Sequence, residues 1–250
     1  MTNSLPSRLW VYQRERFPLA AHGVLSVVFA VGVACAGAAL AGEAPRLGDL
    51  VGASVLVLGL FAQLRVADEW KDHETDRKYR PERPVPRGLV TLTELTGVAV
   101  GIAVVQMTVA FALGWTVVVA LALAWLWGSA MTAEFGVGEW LRTRPLVTMV
   151  SHGLIVPLIA LAALACAVDA WPPGAGWILA ASTFAGNVIE IGRKVRAPED
   201  EREGVETYSA AWGPRRAGVA WAVAGVLASG GAGLVLHTAG TPVWPALALA

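Results

Sequence analysis

Between Arg65 and Gly88 the chain reads RVADEWKDHETDRKYRPERPVPRG, which sets Asp68, Glu69, Asp72, Glu74, Asp76 and Glu82 among Arg65, Lys71, Arg77, Lys78, Arg80, Arg83 and Arg87. If the helix of the preceding apolar run continues into this stretch, Arg65, Asp68, Glu69, Asp72 and Asp76 recur at spacings of three and four. One face then carries four carboxylates and one guanidinium. Like charges stacked in this way destabilise a bare helix by a few tenths of a kcal/mol per pair, so a cation would relieve them. Hard divalent cations take oxygen ligands, and Mg2+ tends to sit between one or two carboxylates and the phosphates of a substrate. The stripe therefore points to a phosphorylated ligand. The alternative is a solvated loop whose charges pair among themselves.

Outside this stretch the chain is greasy. Its 250 residues are 56% hydrophobic and 15% charged, with a mean hydropathy of +0.57, values that exclude a typical soluble domain. The net charge of zero gives no argument for nucleic acid. Cys35 and Cys166 lie inside apolar runs and read as small buried hydrophobes. A spanning helix needs about 20 mainly apolar residues. Seven such runs are predicted, approximately Leu19 to Ala41, Leu47 to Val66, Leu95 to Leu113, Trp115 to Met131, Leu146 to Val168, Trp177 to Ile191 and Ala217 to Leu236, with Thr241 to Ala250 as a partial eighth. Although basic residues precede the first run, it is longer than the core of a signal peptide and reads as the first span. Glycines and prolines mark the boundaries, and Pro157 alone lies within a span, where it predicts a kink.

If each run crosses once, 18 of the 19 Lys and Arg residues fall on one side: in the N-terminal arm, the Arg65 to Gly88 loop, the Glu134 to Pro145 loop and the Arg193 to Arg216 loop. Arg46 lies opposite. By the positive-inside rule that side is cytoplasmic, and the protein is expected in the cell membrane with its charged loops inward. The stretch from Asn187 to Gly213 repeats the character of the first loop, with Asn187, Glu190 and Lys194 on one helical face and Glu199, Asp200 and Glu201 after Pro198. The two helix, charged loop, helix units are about half a chain apart and hint at an internal duplication.

Residues 1–250 are read as a single integral membrane domain, and the two loops resemble the signatures of the UbiA family of intramembrane prenyltransferases. Asp68-Glu69-x-x-Asp72-x-x-x-Asp76, followed by Pro81-Glu82-Arg83-Pro84-Val85-Pro86-Arg87-Gly88, is similar to the family's Asn-Asp-x-x-Asp-x-x-x-Asp and its Pro-Glu-Arg-Pro-like segment. Asp68 stands at the Asn position and Glu69 at the first Asp. The second signature resembles Gly204-x-x-Thr207 and Gly213, with Asp200 as the preceding acid. Where further Asp residues are expected the chain has Arg193 and Arg196, so either Glu190 and Asn187 substitute for them or the basic residues hold phosphate directly. The family has about nine spans, and this sequence reaches the eighth.

The resemblance implies an all-α, multi-span transmembrane bundle of about 7 to 9 helices. It further implies Mg2+-dependent transfer of a prenyl group from an isoprenoid diphosphate to an aromatic or lipid-soluble acceptor, with the tail among the helices. Asp68, Glu69, Asp72 and Asp76, with Glu190 and Asp200, would be the metal ligands, and Asp72, Asp76 and Lys194 the catalytic centre. Arg65, Lys71, Arg83, Arg87, Asn187, Arg193 and Tyr208 would contact substrate. A metal with Arg and Lys suits a departing diphosphate where water is excluded. His22 and His152 are further suspects because ionisable groups at membrane depth are costly. Trp125 and Trp127 are candidate tunnel walls, and Glu139, Arg142 and Arg144 a candidate cap. Alternatives are a membrane terpene cyclase, a prenyl diphosphate hydrolase, or, in another class, a small transporter. Transporter sites lie near the bilayer midplane, and these spans are almost free of charge. Neither the acceptor nor any protein partner is legible.

Overall fold

The computed structural model describes residues 4–201 and 207–240, and among them the regular structure is entirely helical. A short helix, α1 (Leu5–Arg16), precedes α2 (Leu19–Ala41), whose first turn is π-helical, and α3 (Leu47–Lys71). The chain continues through α4 (His73–Tyr79), α5 (Leu92–Leu113), α6 (Trp115–Thr132), the short α7 (Gly138–Arg142), α8 (Pro145–Gly153) and α9 (Ile155–Ala167). It then forms α10 (Ala175–Arg193), the short α11 (Tyr208–Trp212) and α12 (Pro214–Thr238). Among the described residues, six segments are long and apolar enough to cross a membrane: α2, α3, α5, α6, α12, and α8 with α9 as one stretch, Pro145–Ala167. The seventh expected run does form a helix, α10, but falls outside that set; Asn187 and Glu190 dilute its apolar character. The partial eighth run, Thr241 to Ala250, lies outside the described residues.

The breakers act where they were expected. Gly114 alone separates α5 from α6, and its φ of +133° is a conformation that a side chain would oppose. Pro157 supplies no N–H to the carbonyl of Gly153, and its ring crowds that carbonyl. The helix is accordingly interrupted at Leu154, between α8 and α9. Thr91 caps α5 by accepting from the Glu94 N–H, while the Glu94 carboxylate accepts from the Thr91 N–H.

The core is built around α9, which packs against α2, α3, α6 and α10. Ile159, Ala160, Ala162, Ala163 and Leu164 are fully buried. The many alanines let neighbouring backbones approach, the usual device for helix association where lipid removes the hydrophobic drive. A tighter approach joins α3 and α5, where a Cβ on Gly59 would lie 2.6 Å from Nε2 of Gln106 and 2.9 Å from Ile102. Gln106 is fully buried and donates to the Leu56 carbonyl at 2.8 Å. Gly59→Ala should expel that side chain and lower stability by about 1–3 kcal/mol. The Tm of purified protein in detergent reads this, and Gly97→Ala, which meets no atom within 4 Å, should leave Tm unchanged or raise it.

Ion pairs gather the charged segments at one end of the bundle. Arg8 pairs with Glu94, Arg16 with Glu69, and Arg87 with Glu15, so α1 lies across the ends of α3 and α5. Lys71 reaches Glu134, just beyond α6. Arg46, the single base assigned to the other side, pairs locally with Asp49 at the start of α3.

Candidate active site

The helix expected to run through the first acidic stretch does so as far as Lys71, breaks at Asp72 (φ −91°, ψ 4°) and resumes as α4. Asp68 accepts from Arg65 at 2.7 Å. Asp76 is 2% exposed and accepts from Arg80 and Arg83. Asp72 lies between them and, among the described residues, makes no ion pair. Burial raises its carboxyl above the ordinary range, and the charges of Asp68 and Asp76 add to that rise against the opposing effect of Lys71 and Arg65. Asp72 is thus an acid crowded by two others, a negative charge with no direct partner.

Glu69 follows Asp68 by one residue and therefore projects about 100° around the helix from it. Its carboxylate is buried against α1, accepting from Arg16 at 2.7 Å, with the Tyr12 hydroxyl at 3.5 Å and Arg65 at 4.0 Å. Burial and this carboxylate push the Tyr12 phenol upward. Arg87 is also turned toward α1, donating with both terminal nitrogens to Glu15 at 2.8 Å, which holds the Glu15 carboxyl low.

In the second loop Glu190 is paired by its own helix, with Arg193 and with Lys194 at 2.9 Å. The Lys194 ammonium lies 5.5 Å from the centre of the Tyr208 ring, and the Lys194 carbonyl accepts from the Tyr208 N–H at 2.9 Å. Asn187 faces Gly153, where an added Cβ would stand 3.1 Å from its Oδ1. Asp200 sits on an exposed turn. The neighbouring Glu201 organises the local chain instead, accepting from Thr207 and Ser209, which lowers its carboxyl. Gly204 lies outside the described residues.

The two loops meet at His152. Its Nε2 lies 3.3 Å from the Lys71 ammonium and its Nδ1 lies 3.0 Å from the Thr148 carbonyl, while Asn187, near the end of α10, faces the adjoining Gly153. Lys71 also pairs with Glu134 at 3.1 Å, and Phe135 presents an edge contact to both Trp127 and His152. Glu134 was missed in the sequence; its one signal is that it is the acid that ends an apolar run and precedes a Phe-Gly pair. Arg142 and Arg144 are exposed, with Arg144 stacked on Trp140. Trp125 and Trp127 pack against the core and donate to Gln63 and to the Ser151 carbonyl. His22 rests on Phe17.

The donor set fits Mg2+ shared with a phosphate better than an ion held by protein alone. Asp68, Asp72 and Asp76 concentrate negative charge, yet among the described residues no three His, Cys, Asp or Glu side chains close on one point. Mg2+ commonly takes one or two carboxylates and completes its shell with water and substrate phosphate.

The fold has solved counterparts. The apo structure of a UbiA homolog from Aeropyrum pernix K1 superposes with a TM-score of 0.68 at 17% identity, covering 89% of this chain and 83% of that one. A structure of digeranylgeranylglyceryl phosphate synthase gives a TM-score of 0.62 at 15% identity, covering 89% of this chain and 75% of that one. These likenesses define the class, a UbiA-like bundle of membrane helices. No curated protein matches the sequence. The model of the UbiA prenyltransferase family matches residues 28–250, and the chain belongs to that family as an integral membrane prenyltransferase.

Proposed function

We propose that the protein transfers a prenyl group from an isoprenoid diphosphate to an aromatic or lipid-soluble acceptor, with Mg2+, at the end of the bundle that faces the cytoplasm. The observation that carries this is the meeting of both charged loops at one end of α8, Lys71 against His152 and Asn187 against Gly153, with Asp72, which makes no ion pair among the described residues, directly following Lys71. Lys71 and Lys194 would bind the diphosphate oxygens as point charges, and Arg65, Arg83 and Arg193 would extend that cationic rim. Asp72, with Asp68 and Asp76, would hold Mg2+, which would supply Lewis-acid stabilisation of a departing diphosphate. Glu69 and Arg87 would act from outside this set by fixing α1 over the bundle.

Purified protein in detergent, given prenyl diphosphates of several chain lengths, should release diphosphate at least about tenfold faster with Mg2+ than with EDTA, consistent with the size of a single lost charge interaction. Release indifferent to the metal, or none from any donor, would refute the proposal.

A further inference from the structure

The connection after α6 holds three consecutive residues in the left-handed region: Glu134 (φ 49°), Phe135 (φ 53°) and Gly136 (φ 71°). For Glu and the bulky Phe this backbone costs on the order of 1–3 kcal/mol each, and such strain persists only where the surroundings hold it. Here they do. The ring of Phe135 is set edge-on between Trp127, at 5.3 Å, and His152, at 6.0 Å. The Glu134 carboxylate pairs with Lys71 at 3.1 Å, the two side chains being 32% and 25% exposed. Its other oxygen lies over Gly138, where any Cβ would overlap it.

We infer that Glu134 is a positioning residue that occupies the place of the incoming diphosphate, keeping Lys71 against His152 until the substrate's phosphate displaces it. The inference rests on the proposed donor chemistry. Without Glu134, the Lys71 ammonium would be left beside the imidazole with no ion-pair partner among the described residues. A carboxylate on a strained turn neutralises Lys71 in the resting protein, and the strain lowers the cost of letting it go. The same left-handed turn re-aims Phe135, so displacement of Glu134 would also free the aromatic edge over His152.

The test measures binding of inorganic pyrophosphate with Mg2+ to the purified full chain by calorimetry. Glu134→Gln removes the competing charge, and Gly138→Ala evicts the carboxylate without changing net charge. Each should bind pyrophosphate roughly tenfold tighter than the parent, a difference of about 1.4 kcal/mol. Lys71→Met should weaken binding, and in that background Glu134→Gln should change nothing. A purely structural role for Glu134 would give weaker binding or unchanged binding, never tighter. If the parent binds pyrophosphate and neither variant tightens, or if Glu134→Gln tightens equally without Lys71, the inference is overturned and the donor chemistry stands. If the parent does not bind pyrophosphate at all, both are overturned. Should Glu134→Gln fail to fold, Gly138→Ala decides alone.

Discussion

Replacing Asp72 with Asn should cut diphosphate release on the order of 10³-fold, about 4 kcal/mol of transition-state stabilisation, while leaving the protein as stable as the parent or more so. The two halves of this result have one cause. Asp72 has a raised carboxyl because it is half-buried and stands near the charges of Asp68 and Asp76, so its charged form costs folding free energy. The sign follows from linkage: a carboxyl whose folded value lies above its unfolded value binds its proton more readily in the folded state. Stability then falls as pH rises from the ordinary carboxylate value through the raised one, and the penalty is fully present above it. Asn carries no such penalty, so the Tm of the variant should equal or exceed that of the parent near neutral pH, and the gap should close on acidification. Added Mg2+ should raise the Tm of the parent and leave the variant unmoved. A residue that merely braced the loop would lose stability together with activity, and that outcome would remove Asp72 from the centre of the site.

Much of the bundle is legible in the sequence because its cause is local. Apolar runs, Gly114 and Pro157 act on their own segments, and the helices begin and end where these residues require. The gathering of the charged loops at one end is also legible, since alternation of charge across successive spans needs no knowledge of packing. What escapes is whatever depends on pairing over long separations. Arg16 and Glu69 are 53 residues apart, and Lys71 and His152 are 81 apart; no periodicity within one run reports either. The acidic stripe illustrates the limit. Spacing groups Glu69 with Asp68, Asp72 and Asp76, but consecutive helical residues diverge by about 100°, and the docking of α1 decides which face is claimed by its own cations. The left-handed turn at Glu134 and Phe135 is opaque for a different reason, because nothing in those residue types favours a positive φ.

The second large effect is expected at that α1 contact. Arg16→Met leaves the Glu69 carboxylate, whose side chain is 1% exposed, with only the Tyr12 hydroxyl and the distant Arg65 to offset its charge. Removing one partner of a buried pair costs about 3–5 kcal/mol, so thermal melts in detergent should show the largest destabilisation of any single change considered, with α1 undocking from α3. Glu69→Gln should be milder, since Arg16 is 12% exposed and its guanidinium can turn toward water more readily than the carboxylate can. Combining the two should recover most of the loss, because a buried ion pair replaced as a unit often costs little. The double variant also separates two roles for Glu69. If its task is to seat α1, restored stability should bring restored Mg2+-dependent diphosphate release. If instead the double variant melts like the parent and stays inactive, Glu69 belongs with Asp72 in holding the metal, and the contact with Arg16 describes only the resting arrangement of that side chain.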